Sequence, residues 1–308
     1  MIQIINLVKK FENVLALDNL NFSINESEIN GLIGPDGAGK TTFIRILSGI
    51  MDLTSGDILI DNKSIKKHSE EIKLGIGYMP QKFSLYGDLT VIENLNFYAD
   101  IYLVSGDERK NTIARLLEFS NLTPFKNRLA DKLSGGMKQK LGLACSLIHK
   151  PKLLLLDEPT NGVDPLSRRE FWNILKDLRN QGVTIVISTP YMDEAEKCNA
   201  IGLIDKGRII YYGTPEGIKN KYKGKVAELI TSDNNTAIKI IENISGIREI
   251  TAKGETIHIN IEENVNKDFL PGLLNENGIN TISFNEVSPT IEDVFIYLAE
   301  ESKKWKTS

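Results

Sequence analysis

Eight consecutive residues can hold a polyphosphate. Gly34, Pro35, Asp36, Gly37, Ala38, Gly39, Lys40 and Thr41 fit G-x-x-x-x-G-K-[S/T] without a mismatch. Glycines in such a loop let backbone N–H groups turn inward around phosphates. The lysine reaches the β- and γ-phosphates, and the last hydroxyl sits on Mg²⁺. An apolar strand-like run, Ile29 to Ile33, precedes the loop. A helix-like run, Thr42 to Ser48, follows and stops at Gly49. A helix N-terminus adds N–H donors and the positive end of a dipole. A chance glycine turn would lack that strand and helix, so the pattern predicts binding of ATP or GTP.

A second set of groups closes another apolar run. Leu153 to Leu156 is followed by Asp157 and Glu158. The carboxyl end of a central strand is where ligands sit in open α/β sheets. Asp157 is expected in the Mg²⁺ shell. Glu158, one residue on, can face an attacking water as general base. For that role position matters more than a shifted pKa.

The elements that must position these groups alternate between strands and helices. Residues 2–24, 55–61 and 74–79 read as strands. From Thr90 to about Ile148 the apolar spacing turns helical. The unbroken run Leu153 to Leu156 suits a parallel strand buried on both faces. A helix over Pro165 to Asn180 and a strand over Val183 to Ser188 follow. The expected fold is an α/β nucleotide-binding core over 1–220, with a helical subdomain at about 85–150. A small α+β domain is expected over 225–308. Its β-α-β-β-α-β order suggests a ferredoxin-like sandwich. Ser288 is expected to cap its last helix, with Pro289 at the first helical position. This domain shows no catalytic constellation and suits dimerisation or regulation.

Composition narrows the classes of partner. The chain has 308 residues, 41% apolar and 25% charged, with a net charge of −4. No basic stripe marks a nucleic-acid surface, so no nucleic-acid partner is expected. Cys145 and Cys198 lie far apart with no metal spacing and read as free thiols of a reducing compartment. No signal pattern opens the chain. The longest apolar run falls far short of the roughly 20 residues a membrane helix needs. Any membrane spanning is expected from other chains.

Leu133-Ser134-Gly135-Gly136-Met137-Lys138-Gln139 opens a further helix, with Ser134 as N-cap. Paired glycines let that helix end approach a bulky ligand, and its N–H groups suit an anion. Alone this is an ordinary helix start. Between the phosphate loop and the Asp157-Glu158 strand it resembles the signature of ABC transporter ATPase subunits. The resemblance covers about residues 1–220 and implies a P-loop NTPase core of ABC type, with a mixed sheet and a helical subdomain.

The resemblance assigns further roles. Phe11 falls where the family places an aromatic on adenine, usually a tyrosine. Gln81 matches the Q-loop, which contacts Mg²⁺ or the water and touches the membrane partner. Asn161-Gly162-Val163-Asp164 matches the D-loop at the dimer interface, with Asp164 near the nucleotide. Two such domains pack head to tail, so Ser134, Gly135 and Gly136 would hold the ATP of a partner. This chain has one phosphate loop and one signature. It is therefore expected to pair with itself or with a related ATPase, and with permease chains at the cytoplasmic face of the cell membrane. The C-terminal Pro289-Thr290-Ile291-Glu292-Asp293-Val294-Phe295 resembles that of bacterial drug-resistance exporter ATPases, which favours export over import.

Two positions depart from the family. Pro190 stands where a histidine usually follows Ser188-Thr189, and proline has neither a side-chain donor nor an N–H. The neighbouring Tyr191 can substitute only in part. Asp36 replaces a more usual asparagine and is unfavourable near a triphosphate unless it points away. These departures raise the alternative of a regulatory or slowly hydrolysing member of a heteromeric pair. A soluble ABC ATPase acting on DNA or ribosomes is disfavoured, because there are no sustained heptads between loop and signature and only one ATPase domain.

Overall fold

The computed structural model describes residues 1–82 and 85–304. It divides into two compact units, Met1–Pro215 and Glu216–Ser308. In the first unit, β1 (Ile2–Phe11) and β2 (Val14–Ile24) form an antiparallel hairpin closed by the Phe11–Val14 pair. β3 (Ile29–Ile33) runs into the phosphate loop and then α1 (Lys40–Leu47). The helix begins two residues ahead of the expected start, because Gly39 at φ 110° makes the turn into it. β4 (Ser55–Ile60), β5 (Lys63–Ser64), α2 (Ile65–Lys73) and β6 (Ile76–Met79) follow.

The helical segment holds α3 (Val91–Ile101), α4 (Gly106–Phe119) and α5 (Gly135–Ser146). Thr90 and Glu93 cap α3 reciprocally, which satisfies two otherwise orphaned N–H groups. Then come β7 (Leu153–Asp157), α6 (Pro165–Asn180), β8 (Thr184–Thr189), α7 (Met192–Ala195), β9 (Ala200–Asp205), β10 (Arg208–Gly213) and α8 (Pro215–Lys219).

Two sheets result. β2-β1-β4-β5 is antiparallel. The central sheet runs β10-β9-β3-β8-β7-β6, parallel except for the β9–β10 pair. One buried cluster joins Leu7 and Leu17 of the antiparallel sheet, Phe43 and Ile44 of α1, and Leu155 and Val186 of the central sheet. Burial of each such side chain contributes roughly 1.5–3 kcal/mol. The same packing fixes α1, and with it the loop that precedes it.

The second unit contains β11 (Lys225–Thr231), α9 (Asn234–Ile241), β12 (Ile247–Lys253), β13 (Thr256–Ile261), α10 (Leu270–Glu276), β14 (Thr281–Val287) and α11 (Ile291–Lys304). Its antiparallel sheet runs β12-β13-β11-β14, the ferredoxin-like arrangement. Ala227, Leu229, Ile241, Ile259 and Leu274 are among its buried core. Two sequence expectations are corrected here. The helix expected from Val265 starts at Leu270, after a 3₁₀ turn over Lys267–Phe269 and with Pro271 in its first turn. The last helix is capped by Thr290, not Ser288. Thr290 Oγ1 accepts from Asp293 N (3.3 Å), while Thr290 N donates to Asp293 Oδ2 (2.7 Å). A reciprocal Thr-x-x-Asp pair satisfies two backbone donors and outcompetes Ser288.

Candidate functional site

The parallel strands β9, β3, β8, β7 and β6 all end at one edge of the central sheet. There each hands over to a loop carrying a candidate residue. β3 leads to Gly34–Thr41, β6 to Gln81, β7 to Glu158, β8 to Pro190 and β9 to Lys206-Gly207. Convergence at the carboxyl ends is a consequence of parallel pairing, because every crossover must return to the opposite edge.

Lys40 sits at the centre, 3% exposed. Its Nζ donates to the carbonyls of Gly34 (2.9 Å) and Pro35 (3.0 Å) and lies 3.2 Å from Glu158 Oε1. Gln81 Nε2 donates to the other oxygen, Glu158 Oε2, at 2.8 Å. Thr41 Oγ1 donates to Asp157 Oδ1 at 3.0 Å. The loop backbone cannot accept larger residues: a Cβ on Gly39 would lie 2.7 Å from the Ala16 carbonyl. Ala38 is buried, its N–H donating to Pro35 O and its carbonyl accepting from Gly207 N. Asp36 points outward, its side chain 93% exposed and 3.8 Å from Lys40 Nζ. Exposure to water screens the expected conflict with a triphosphate but does not remove it, because the carboxylate stays beside Lys40.

Glu158 adopts φ +49°, a left-handed conformation that costs a non-glycine residue roughly 1 kcal/mol or more. Its N–H donates to Ser188 Oγ (3.0 Å) and Ser188 O (3.1 Å), which hold the turn. Ser188 Oγ in turn donates to Asp157 Oδ1 at 2.7 Å. Sequence reasoning did not single out Ser188. The signal was its place at the end of a buried strand, but only the Asp157–Ser188 register brings the two together. Asn161 Nδ2 also reaches Glu158 Oε2, at 3.4 Å.

A cavity of about 250 Å³ opens beside this cluster, lined by Val14, Ala16, Gly37, Lys40, Thr42 and Lys206 among others. A larger cavity of about 450 Å³ lies at the other end of the strands, against Ile2, Ile76, Leu153 and Thr184. It contains none of the groups above, so chemistry rather than volume selects the smaller one.

The donor set fits a divalent cation. Asp157 is fully buried, and its Oδ2 has no hydrogen-bond partner. A buried carboxylate oxygen left unpaired beside a threonine hydroxyl is costly unless a cation completes it.

Other sequence candidates lie apart from this cluster. Phe11 ends β1, 41% exposed, with Lys9 Nζ 4.7 Å from its ring centre. Ser134 caps α5 by accepting from Met137 N. Gly135 is open, with only the Gly162 carbonyl near (3.8 Å). A Cβ on Gly136 would meet Ser167 Cβ at 2.5 Å, so the missing side chain lets α5 pack on α6. Asp164 caps α6 by accepting from Ser167 N (2.9 Å), and that hydrogen bond holds its carboxyl below the usual range. None of these touches Lys40 or Glu158.

Pro190 follows β8 and offers the cluster no donor. Tyr191 turns to Asn161, donating to its Oδ1 at 3.3 Å, and its ring lies 4.2 Å from the Arg168 guanidinium. Behind it Glu194, fully buried, accepts from Thr160 Oγ1 (2.8 Å) and Trp172 Nε1 (3.0 Å). Cys145 and Cys198 are buried free thiols, pushed up in pKa by that burial. Among the described residues no helix is long and apolar enough to cross a membrane.

Comparison with known proteins agrees with this geometry. The family model described as ABC transporter matches residues 17–161. The model described as ATP-binding protein DrrA1-3-like, C-terminal domain, matches residues 213–299. The chain is 43% identical over 286 residues to the probable multidrug ABC transporter ATP-binding protein YbhF of Escherichia coli (strain K12), covering 92% of this chain and 49% of that one. It thus spans about half the length of that relative. It is 33% identical over 304 residues to the linearmycin resistance ATP-binding protein LnrL of Bacillus subtilis (strain 168), covering 97% and 98%. Among solved structures it resembles a dimeric ATP-binding cassette in a post-hydrolysis state bound to ADP and Pi, with TM-score 0.64 and 28% identity over 70% of this chain and 98% of that one.

Proposed function

The chain belongs to the ABC transporter ATP-binding proteins, and on that premise we propose that it binds and hydrolyses ATP to drive export through separate membrane-spanning chains. One observation carries the reading: the cluster in which buried Lys40 and exposed Gln81 both hold the buried Glu158 carboxylate. A loop lysine, a carboxylate able to take a proton from water and a Mg²⁺-type pair at Thr41 and Asp157 are the parts phosphoryl transfer requires.

In the working site the N–H groups of residues 37–41 and Lys40 take the phosphates. Lys40 exchanges the Gly34 and Pro35 carbonyls for phosphate oxygens and releases Glu158. Glu158 then accepts a proton as a water oxygen bonds to the γ-phosphorus and the bond to the β-bridging oxygen breaks, giving ADP and Pi. Gln81 orients Glu158 and the water. Thr41, Asp157 and Gln81 would hold Mg²⁺, which would supply neutralisation of the polyphosphate charge.

The exposed end of α5 is proposed to complete the site of a second ATP-binding subunit, in a homo- or heterodimer. Ser134 and Gly135 would offer it a hydroxyl and helix N–H groups. Support comes from the dimeric cassette of similar fold and from the lack of contact between this end and the chain's own loop. Phe11 is proposed to lie under adenine, and Asp164 at the dimer seam. The export direction and a place on the cytoplasmic face of the membrane rest on the two drug-resistance relatives and on the C-terminal match.

A second reading, a slowly hydrolysing member of a heteromeric pair, is favoured by one observation, Pro190 after β8. Steady-state turnover of the purified chain, of Glu158→Gln and of Pro190→His tests both. Turnover lost in Glu158→Gln and unchanged in Pro190→His supports the first reading. A large gain in Pro190→His supports the second. A wild type no faster than Glu158→Gln contradicts hydrolysis by this chain. Co-purification with membrane chains tests the coupling.

A further inference from the structure

Three groups hold Glu158 in this structure: Lys40, Gln81 and Asn161. Nucleotide takes Lys40, whose ammonium is needed by the phosphates. The carboxylate oxygen Oε2 then keeps Gln81 and Asn161. An amide is a poor anchor unless its own orientation is fixed, because its oxygen and nitrogen ends can exchange by a flip of the side chain. Asn161 is fixed. Its Oδ1 accepts from the Tyr191 hydroxyl, which leaves Nδ2 as the end that faces Glu158. The donors run in one direction: Tyr191 O–H to Asn161 Oδ1, then Asn161 Nδ2–H to Glu158 Oε2.

Tyr191 is itself held on three sides. Its N–H donates to Thr189 Oγ1 at 3.1 Å. Pro190 before it fixes φ and takes no place in a helix, so the chain turns rigidly out of β8. The ring stacks against the Arg168 guanidinium at 4.2 Å, and Arg168 Nε lies 3.8 Å from the buried Glu194 carboxylate. Cation and aromatic face attract each other, which holds the ring in place. Glu194 also binds Thr160, the residue before Asn161, and Trp172 of α6. The arginine beside Tyr191 and the threonine before Asn161 thus both lie against one buried carboxylate, Thr160 by a hydrogen bond and Arg168 by charge.

We propose that Tyr191 is a positioning residue for hydrolysis: acting through Asn161, it orients the Glu158 carboxylate toward the attacking water and supplies the anchorage that Pro190 cannot. It never touches the nucleotide. The inference rests on the reading of Glu158 as general base.

Turnover and ATP affinity of the full chain test it. Losing a hydrogen bond that orients the base lowers kcat by about five- to tenfold. Tyr191→Phe is expected to show that loss with KM for ATP within about twofold, since the ring and its stacking remain. Asn161→Ala is expected to match it, and the double variant Asn161→Ala/Tyr191→Phe is expected to be no slower than either, because both break one chain. Pro190→His supplies a donor at the end of β8, so adding Tyr191→Phe to Pro190→His is expected to cost less than about twofold. Binding of a fluorescent ATP analogue reports folding of each variant.

A merely structural tyrosine gives a different pattern. Tyr191→Phe would then leave kcat unchanged, or its loss would multiply with that of Asn161→Ala and persist beside Pro190→His. Either result overturns the relay. Failure of the underlying reading is separate: wild type would hydrolyse no faster than Glu158→Gln, which removes the base and the relay together.

Discussion

The amino-terminal ends of α1 and α5 are built in opposite ways. At α1 each reactive side chain already has a partner: Lys40 on Glu158, Glu158 on Gln81, Thr41 on Asp157. Lys40, Asp157 and Glu158 are buried, and one ammonium there faces two carboxylates, which leaves room for a cation. At α5 Ser134 caps its own helix, Gly135 faces open space, and no catalytic group is near. The first end is a loaded machine awaiting a polyanion. The second has only donors to offer, and only to something brought from outside. On the proposed reading, one half of the site is completed by the chain's own sheet and the other half by a second subunit.

The comparison breaks most easily at Glu158. Replacement by Gln is expected to reduce turnover by about 10²-fold or more, with binding of a fluorescent ATP analogue retained. A modest loss would mean that the loaded end is not the reacting end. Lys40→Ala is next. It removes the cation that faces both phosphates and Glu158 and leaves a nearly buried carboxylate without its cation. ATP affinity is expected to fall by about tenfold to a hundredfold, in line with about 1.5–3 kcal/mol for a charged hydrogen bond. Equilibrium titration with the same analogue reads it.

The two glycines of α5 sharpen the contrast. Gly136→Ala forces a methyl against Ser167 and is expected to cost about 1–3 kcal/mol of stability, with partial rescue by Ser167→Gly. Gly135→Ala meets open space and is expected to leave the melting temperature unchanged. Thermal melts separate them. If both are neutral, α5 is not packed on α6 as described.

His149 gives the smallest effect and serves as a check outside the site. Its ring stacks on Tyr102 at 3.8 Å, and Nε2 faces the Ile76 carbonyl at 3.1 Å. Burial lowers its pKa below 6.5 despite that carbonyl. The folded state therefore prefers the neutral ring. Its contribution is intact above about pH 6.5 and is lost as pH falls below it, because the unfolded chain then binds the extra proton. His149→Phe is expected to narrow the gap in melting temperature between pH 7.5 and pH 5.5.

The loaded end was legible in the sequence because its parts are contiguous. The loop is one uninterrupted motif, and Asp157-Glu158 closes an apolar run that only a buried strand explains. What escaped depends on pairing between distant segments. Ser188 meets Asp157 through the register of β7 and β8, and Tyr191 meets Asn161 across a gap of thirty residues. On the side-chain face of Gly136 the room is taken by Ser167 of α6, a contact that only the folded pair of helices reveals. Ser288-Pro289 carries the proline cue for a helix start, yet the reciprocal pair Thr290-x-x-Asp293 caps the helix because it satisfies two backbone donors.

The central claim is that the α1 end of one chain works with the α5 end of another, and a second copy of this chain is the partner that tests it. Mixing Lys40→Ala with Ser134→Arg tests it most directly. Neither variant alone is expected to turn over ATP. Lys40→Ala supplies an intact α5 end, and Ser134→Arg supplies an intact α1 end. In a mixed dimer one of the two sites is whole, so the equimolar mixture is expected to recover up to about a quarter of wild-type turnover. A mixture as inactive as its components would contradict the account.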